Sequence, residues 1–596
     1  MSKPRQKKAI IVGAGAGGIA TAARLAKAGF SVTVLEKNSF TGGRCSLLYH
    51  DDDDDNDGGG SGGSYRFDQG PSLLLLPKLF EETFADLDTS LPAEGIALLR
   101  CASNYRVWFA DGESFELTPD LAQMRAQIER WEGPQGFPRF LSWLHEAHAH
   151  CELSAREVLH RNFGKPWDMR VLLGPSLLAR LHPFHSVWGR ASRYFRTERL
   201  RRVFTFATMY MGMSPFDAPA TYSLLQYAEL AEGIWYPRGG FHAVLAALQR
   251  VGERLGVEYR LDAPVAQILM DADGKAARGV RLESGEVLDG ADVVVVNADL
   301  VYAYGNLFPQ TPAVRRHAAS LRRRPASCSS ISFYWSLDRR VPELQTHNIF
   351  LADEYRESFD AIFDRRALPD EPSFYVNVPS RIDPSAAPDG RDALIVLVPT
   401  GHLPESAGIL TPSSSPSSSP SLDANWLALI SRARQAVLST IEARTGCAPL
   451  AGLITREMVN DPRTWESRFN LDKGSILGLS HGFFNVLAFR PGTRAAVVGG
   501  RNTYFVGAST HPGTGVPIVL AGAKITAEQI LGDLQIPAPW PSGGGGNVLP
   551  AGRTNGLDRI RSPPLSVRGW LFYVVVAAWV AYLSARYYPL LRREGA

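Results

Sequence analysis

The alternation of apolar and polar stretches at the start of the chain predicts a strand, a tight turn, a helix and a second strand. Residues 9–12 (AIIV) form a short apolar run of the buried-strand type, and the glycine-rich residues 13–18 (GAGAGG) follow it directly. Residues 19–28 are rich in alanine and leucine, as expected for a helix, and residues 30–35 form a second apolar run that ends at Glu36. This order is typical of the first unit of a parallel α/β sheet.

Apolar runs farther along the chain predict that it returns to this sheet. Residues 292–297 contain four consecutive valines, and residues 502–517 end a strand, turn through several glycines and open a helix. We therefore predict a Rossmann-like domain interleaved with a second domain that binds the substrate. The Rossmann-like domain is assigned residues 1–100, 236–305 and 491–535, and the substrate-binding domain residues 101–235 and 306–490.

Three stretches of biased composition interrupt these domains. The acidic and glycine-rich residues 51–63 are too charged and flexible to pack, so we expect a solvated loop in preference to a cation site. The serine- and proline-rich residues 411–421 predict an exposed insertion. Residues 536–568 include a run of four glycines and predict a flexible linker.

The apolar segment 569–585 (GWLFYVVVAAWVAYLSA) predicts a helix that attaches the chain to a membrane. Its seventeen residues carry no charge, and a helix of this length spans about 26 Å, slightly less than the hydrocarbon core of a bilayer. A buried core helix is the alternative, but the aromatic residues and flanking arginines favour anchoring at an interface. We therefore expect membrane localisation, single-pass or monotopic, through this C-terminal helix. Because the start of the chain has no signal-peptide core, we expect the catalytic body to face the cytosol.

Charge and cysteine content exclude other classes of protein. The 63 lysines and arginines and the 60 aspartates and glutamates leave a net charge of only +3, so we expect no nucleic-acid partner. The five cysteines are widely spaced and odd in number, which predicts a reducing compartment and no metal site. The sequence also has no nucleophile–base pair and no phosphate-binding P-loop.

The first glycine turn has the spacing of a dinucleotide-binding site. Gly13 permits the turn, Gly15 lets the backbone approach a pyrophosphate, and Gly18 lets the helix pack closely on the strand. Glu36 lies twenty-three positions after Gly13, where its carboxylate can accept hydrogen bonds from a ribose diol. These residues predict dinucleotide binding and leave FAD and NAD as alternatives.

A second glycine element favours FAD. Gly42 and Gly43 can offer backbone donors to phosphate oxygens, and Arg44 adds a fixed cation. With this element the sequence resembles the FAD-containing amine oxidase and phytoene desaturase superfamily, in which the element contributes to FAD binding. The resemblance is carried by Gly13, Gly15, Gly18, Glu36, Gly43 and Arg44.

The stretch NTYFVGASTHPGTGVP at residues 502–517 narrows the resemblance to phytoene desaturases of the bacterial and fungal type. Its turn would place backbone N–H groups and a helix N-terminus where they favour negative charge on the reduced flavin. The predicted cofactor contacts there are Gly513, Gly515 and Val516, while His511 is a candidate proton donor or a backbone-positioning group. The resemblance also implies that the backbone of Val265 contacts the adenine side of FAD.

The resemblance implies both a fold and an activity. The expected fold class is α/β, with a FAD-binding Rossmann-like domain interleaved with a substrate-binding domain, and this sequence adds the C-terminal apolar membrane helix. The expected activity is FAD-dependent dehydrogenation of phytoene, through successive desaturations to neurosporene, lycopene or 3,4-didehydrolycopene in carotenoid biosynthesis. The implied partners are this apolar polyene and membrane lipid, with a homo-oligomer left open. Oxygen, NAD or a quinone is expected to reoxidise the flavin.

Residues that move protons are the least defined by the sequence. Residues 182–236 are rich in aromatic residues and methionine, which line an apolar tunnel or fill an ordinary core. Glu229 in this region is a candidate proton acceptor, with a surface ion pair as the alternative. Two other functions stay open: an amine or porphyrinogen oxidase, and a non-enzymatic prenyl-binding escort protein of the same fold.

Overall fold

The computed structural model describes residues 5–51, 63–163, 180–404 and 420–541. The predicted loop 51–63, insertion 411–421 and linker 536–568 lie largely outside these residues. The predicted membrane segment 569–585 lies wholly outside them.

Strands and helices alternate along the described chain. The strands are β1 (Lys8–Val12), β2 (Ser31–Leu35), β3 (Leu47–Asp51), β4 (Ser64–Asp68), β5 (Leu98–Arg100), β6 (Tyr105–Trp108), β7 (Ser114–Leu117), β8 (Trp235–Pro237), β9 (Glu258–Arg260), β10 (Val265–Met270), β11 (Ala277–Leu282), β12 (Val287–Asp289), β13 (Val293–Val296), β14 (Ser329–Leu337), β15 (His347–Phe350), β16 (Phe374–Asn377), β17 (Ala393–Thr400), β18 (Ile454–Asn460) and β19 (Thr503–Phe505). The helices are α1 (Ala16–Lys27), α2 (Pro77–Ala85), α3 (Leu121–Glu132), α4 (Gly136–Ser154), α5 (Val187–Tyr194), α6 (Glu198–Val203), α7 (Leu224–Tyr227), α8 (His242–Arg254), α9 (Leu300–Tyr302), α10 (Pro312–Arg322), α11 (Tyr355–Phe363), α12 (Pro420–Thr445), α13 (Pro462–Phe469) and α14 (Val516–Asp533).

A five-stranded parallel sheet, in the order β19-β13-β1-β2-β9, forms the first layer. Ile11 in β1 pairs with Val34 on one side and with Val295 on the other. Val293 and Val295 face a core shared with α1, α8 and α14, whereas Val294 and Val296 face a core shared with β10 and β11. Because both faces of β13 are covered, its sequence is a continuous run of valines.

A seven-stranded mixed sheet, in the order β18-β14-β17-β16-β15-β6-β7, forms the second layer. Every residue of β14 is buried. Helix α12 covers one part of this sheet, and an aromatic core that includes residues of α3 to α6 packs near β6 and β7. Strands β6 and β15 pair in parallel, with Val107 opposite Ile349, although they lie far apart in the sequence.

Contacts made by β4 and β8 connect the layers. Strand β5 pairs with β8, and the Tyr236 hydroxyl of β8 donates to Asp68 of β4 at 2.7 Å. Arg66 of β4 forms an ion pair with Asp383 at 2.6 Å, on the side of the seven-stranded sheet. The chain thus crosses repeatedly between the two layers, while the exact domain boundaries stay a prediction.

No helix of the described residues is long and apolar enough to cross a membrane. The prediction that the fold includes a C-terminal membrane helix is therefore wrong for the described part of the chain, and the segment on which it rested lies outside that part. The last described helix, α14, belongs to the first layer, because its Leu520 and Ala523 share a core with Val295 of β13. Lys524 of the same helix lies 2.7 Å from Glu82 and 3.0 Å from Asp86. Beyond α14, Trp540 is buried in the same core.

Candidate functional site

The first glycine turn, between β1 and α1, directs the N-terminus of α1 towards a cavity. Gly13 has φ +101°, a left-handed value that favours glycine, and Gly15 is the N-cap of α1. A Cβ on Gly18 would lie 2.1 Å from the carbonyl oxygen of Gly13, and a Cβ on Gly15 would lie 2.8 Å from Nδ2 of Asn297. The first N–H groups of a helix have no partner within it, so this N-terminus suits a phosphate group.

Glu36 lies at the carboxyl end of β2, beside the first turn. One of its carboxylate oxygens accepts a hydrogen bond from the Ala14 N–H at 2.8 Å. The other accepts from the backbone N–H of Asn38 at 3.0 Å and from its side-chain amide at 2.9 Å. The carboxylate is thus fixed on the wall of the cavity. The remaining lone pairs of its oxygens can accept hydrogen bonds from the hydroxyl groups of a ribose.

The second glycine element packs directly against the first turn. The Gly42 N–H donates to the carbonyl oxygen of Ala14 at 2.8 Å, and Gly42 and Gly43 have φ values of +92° and +55°. The Arg44 guanidinium, which follows, donates to the carbonyl oxygen of Ile476. Burial lowers the pKa of Arg44 from its usual range, but an arginine stays charged at neutral pH. This element therefore adds a fixed positive charge to the cavity wall.

A second turn follows β19 and leads into α14. Gly513 and Gly515 have φ values of +147° and +95°, and Gly515 is the N-cap of α14. A Cβ on Gly513 would lie 2.6 Å from Nε2 of His481. The same Nε2 accepts a hydrogen bond from the Thr514 N–H at 3.1 Å. The second turn therefore presents another helix N-terminus to the same cavity.

One cavity of about 2530 Å³ joins both turns to an apolar tunnel. This volume exceeds the roughly 300–1,000 Å³ of an ordinary small-molecule site, so it has room for a dinucleotide and a long substrate together. Gly18 packs against Gly13 within the first turn and does not line the cavity. All the other predicted cofactor residues line it: Gly13, Gly15, Glu36, Gly43, Arg44, Val265, Gly513, Gly515 and Val516. The tunnel end is lined by Leu73, Leu75, Tyr210, Phe216, Tyr222, Leu225, Tyr375 and Leu397.

The mouth of the tunnel is aromatic and open to solvent. We call Phe184, Phe483, Phe484 and Phe489 the phenylalanine mouth. All four line the cavity, and their rings contact one another at centroid distances of 5.2–6.0 Å. Phe484 is 66% exposed and Phe184 is 59% exposed. Such a cluster of exposed aromatic side chains marks an interaction surface.

His511, the candidate proton donor, does not line the cavity, although its neighbours Thr510 and Pro512 do. Its Nε2 contacts the carbonyl oxygen of Arg161 at 2.8 Å. Burial lowers the pKa of His511 to about 4, so the imidazole is neutral at physiological pH. The structure thus places it as a group that positions the turn.

Glu229, the candidate proton acceptor, is only 1% exposed, so the alternative of a surface ion pair does not apply. Burial raises the pKa of its carboxyl to about 8, and the Tyr105 hydroxyl donates to it at 3.0 Å. Leu225 and Ala228 of the same segment line the cavity, but Glu229 does not. Its carboxyl therefore lies behind the tunnel wall.

Four residues of the site were not assigned from the sequence. Asn297 and Asp299 follow β13 and line the cavity, and burial raises the pKa of Asp299 to about 6. The sequence predicts a buried strand that ends at Asn297, and the family resemblance places the turn after this strand near the pyrophosphate, but it assigns no role to either side chain. His481 lines the cavity beside the second turn, and Arg490 lies behind that turn. Neither residue has a comparable local signal, because their contacts are distant in the sequence.

The fold and this site define a class of enzyme. The sequence profile of the flavin-containing amine oxidoreductases matches residues 16–408. An oxidoreductase from Methanosarcina mazei has the same fold, with a TM-score of 0.54 and 16% identity over 87% of this chain and 100% of that chain. The chain is thus a flavin-containing oxidoreductase of the amine oxidase-like class.

Curated relatives narrow this class. A phytoene desaturase from Neurospora crassa is 63% identical over 533 residues, which cover 88% of this chain and 85% of the relative. A phytoene desaturase from Fusarium fujikuroi is 55% identical over 598 residues, which cover 98% of this chain and 99% of the relative. The chain belongs to the phytoene desaturase family, which confirms the resemblance found in the sequence. These similarities do not favour the amine oxidase, porphyrinogen oxidase or escort-protein alternatives.

Proposed function

We propose that this chain is an FAD-dependent desaturase that removes hydrogens from phytoene in successive steps, as an oxidoreductase acting on CH–CH groups. One observation carries the proposal: the cavity that both glycine turns line is also lined by aromatic and aliphatic side chains that pack on the aromatic core. The family relationship supplies the substrate class. The proposed products are neurosporene, lycopene or 3,4-didehydrolycopene.

FAD fits the part of the cavity lined by the glycine turns, because the backbone of Gly13, Gly15 and Gly43 borders the open space there. Glycine is favoured at these positions by the positive φ of Gly13 and Gly43 and by the clash that a Cβ on Gly15 would make with Asn297. The proposed contacts are Gly13 and Gly15 for the pyrophosphate, Glu36 for the ribose, Gly43 and Arg44 for further phosphate oxygens, Val265 for the adenine side, and Gly513, Gly515 and Val516 for the flavin ring. Gly18 contributes indirectly, because it lets the first turn close against Gly13. When bound, FAD supplies the two-electron acceptor of the dehydrogenation.

The residues of the chain contribute binding, orientation and exclusion of water. Aromatic and aliphatic side chains of the tunnel, such as Phe216, Leu225 and Leu397, bind a polyene without hydrogen bonds. A dry site strengthens the electrostatic effect of the two helix N-termini. Arg44 favours negative charge beside the first turn, and the start of α14 favours it beside the second turn.

Membrane lipid is the second proposed partner, and a membrane surface facing the cytosol is the proposed location. Phytoene is apolar and dissolves in a bilayer, so an entrance at the bilayer surface shortens its path to the cavity. The phenylalanine mouth supports this contact, since exposed aromatic side chains favour the membrane–water interface. Arg324 lies beside the mouth, where it donates to the carbonyl oxygen of Phe489, and its charge complements anionic lipid.

The external electron acceptor and the oligomeric state stay predictions. We propose NAD or a quinone as the acceptor, and anaerobic reoxidation of the reduced protein by each compound tests this choice. Light scattering of the purified protein tests the predicted homo-oligomer.

The test of the function uses the full chain, FAD and liposomes that contain phytoene. Formation of carotenoids with longer conjugation, followed by absorption and chromatography, is the expected result. A parallel reaction with putrescine should show no oxidation. Amine oxidation without conversion of phytoene would overturn the proposal. The variant Gly18→Val, in which the first turn cannot close, is the negative control.

A further inference from the structure

Arg490 is a buried cation directly behind the second glycine turn. Its side chain is 3% exposed. The guanidinium donates to backbone carbonyl oxygens only, at 2.9–3.3 Å for the four contacts of ordinary length. The five carbonyls belong to Leu479, Ser480, Asn485, Ala508 and Thr510. Arg490 therefore ties the segment before it to the turn that follows β19.

The charge of Arg490 has no acidic counterpart among the described residues. No carboxylate of these residues forms an ion pair with it, and the nearby ionisable groups are Tyr222, Arg324, His481 and His511. Burial lowers the pKa of both histidines, so they are neutral. Burying an unpaired charge is unfavourable in free energy. A neutral donor could bind some of the same carbonyl oxygens with a smaller loss of hydration free energy. This arrangement favours a role for the charge itself.

The guanidinium is close to the cavity. A Cβ on Gly513 would lie 3.8 Å from Nε of Arg490, and Gly513 lines the cavity together with Ala508 and Thr510. A single layer of backbone thus separates the cation from the cavity. Because this layer is buried, the positive field is weakly screened. The N-terminus of α14 adds a field of the same sign.

We propose that Arg490 is an electrostatic positioning residue that makes reduction of the bound flavin more favourable. The inference rests on the proposed FAD-dependent function. Bound flavin would accept a hydride, which is two electrons and one proton, from one carbon of the substrate, and the reduced ring would then carry one negative charge. The second hydrogen would leave the adjacent carbon as a proton to water, and the electron pair of that C–H bond would form the new double bond. The fixed cation behind Gly513 lowers the free energy of the negatively charged ring, while the five carbonyl contacts keep the turn in place.

The test measures the two-electron reduction potential of bound FAD without substrate. We expect Arg490→Gln to lower the equilibrium constant for reduction at least tenfold, which corresponds to about 30 mV. Arg490→Lys keeps a charge that titrates, because burial lowers the pKa of a lysine. Its potential should equal that of the wild type at low pH and fall towards the glutamine variant as pH rises. Arg444→Gln is the control for loss of a buried arginine far from the cavity, since Arg444 also donates to the carbonyl oxygens of Leu351 and Trp108 in the second layer. Unlike Arg490, Arg444 also pairs with a carboxylate, that of Glu371, at 2.8 Å.

Each outcome bears on the inference. An unchanged potential in Arg490→Gln, or equal potentials for the lysine and glutamine variants at low pH, would show that Arg490 acts only through structure. If Arg490→Gln does not retain FAD, the potential of Arg490→Lys is compared with that of the wild type at several pH values. A difference that grows as pH rises supports the inference, and a difference that does not change with pH overturns it. A wild-type chain that binds no FAD would refute the proposed function and this inference with it, whereas FAD binding with normal potentials in all variants would refute the inference alone.

Discussion

The carboxylate of Glu36 accepts a hydrogen bond from the backbone N–H of Ala14 at 2.8 Å, so the end of β2 and the first glycine turn form one rigid unit. This unit is the part of the site on which FAD binding should depend most. Its loss should affect the cofactor without affecting the second layer.

Replacing Glu36 by arginine should weaken FAD binding strongly. The variant loses the acceptor for Ala14 and for a ribose diol, and hydrogen bonds to charged groups contribute about 1.5–3 kcal/mol, roughly a tenfold to hundredfold change in affinity. Calorimetric titration of the apoprotein with FAD measures this change. Glu258→Arg, on β9 of the same sheet, changes the charge equally and should leave the affinity intact, since Glu258 does not line the cavity. Unchanged affinity in Glu36→Arg would refute the ribose assignment.

Replacing Gly18 by valine should damage both the turn and FAD binding. Because a Cβ at this position would lie 2.1 Å from the carbonyl oxygen of Gly13, the backbone must move, at a cost of roughly 1–3 kcal/mol. Urea unfolding and retention of yellow flavin after gel filtration measure the two effects. Gly452→Ala is the control, because a Cβ there meets nothing within 4 Å. A Gly18 variant with normal stability and flavin content would contradict the turn geometry.

Glu229 should make the folded state less stable as pH rises. Its pKa is raised from 4.5 to about 8 by burial, so between these values the folded state binds more protons than the unfolded state, and the free energy of unfolding falls with increasing pH. The effect amounts to at most about 1.4 kcal/mol per pH unit. Glu229→Gln removes this contribution, so its stability relative to the wild type should increase from pH 5 to pH 8. Urea unfolding of both proteins at the two pH values tests this; a constant difference would contradict it.

The same substitution tests the role of Glu229 in catalysis. A carboxyl with a pKa of about 8 is mostly protonated at pH 7, and Glu229 lies behind the tunnel wall. We therefore expect Glu229→Gln to change kcat for phytoene by less than roughly tenfold, since positioned general bases contribute about 10²–10⁴-fold. A larger loss of kcat with unchanged KM would identify Glu229 as the proton acceptor.

Replacing Phe484 by aspartate should weaken binding to liposomes. Phe484 is 66% exposed at the phenylalanine mouth, and burial of such a side chain contributes about 1.5–3 kcal/mol, so the loss should be roughly tenfold or more. Flotation with anionic vesicles measures it. Leu427→Asp on α12 is the control, because Leu427 is equally exposed at 67% but does not line the cavity. Equal loss in both variants would show that the mouth has no special role.

Local sequence patterns were sufficient to place the residues of the first glycine turn. Gly13, Gly15 and Gly18 follow one strand and precede one helix, so neighbouring residues determine their geometry. Glu36 was predictable for the same reason, because it ends the next strand. The stretch that contains Gly513 and Gly515 required the family resemblance as well.

Contacts between distant residues were not predictable from local patterns. Tyr105 and Glu229 are 124 positions apart, and their contact depends on how the aromatic core packs. The position of Arg490 behind Gly513 depends in the same way on a loop outside any regular element. The prediction of a membrane helix in the fold rested on residues 569–585, which lie outside the described residues. The last described segment, up to residue 541, includes Trp540, which is packed on the first layer.

Strand β13 lies between β1 and β19, which are separated by residues 13–502 of the chain. During synthesis on the ribosome, β1 emerges among the first residues, but one edge of β13 has no partner until β19 has been made. While residues 297–502 are being made, the unpaired backbone groups along this edge of β13 are open to other chains. Newly made protein should therefore aggregate readily, and its yield should depend on chaperones that cover this edge until synthesis is nearly complete.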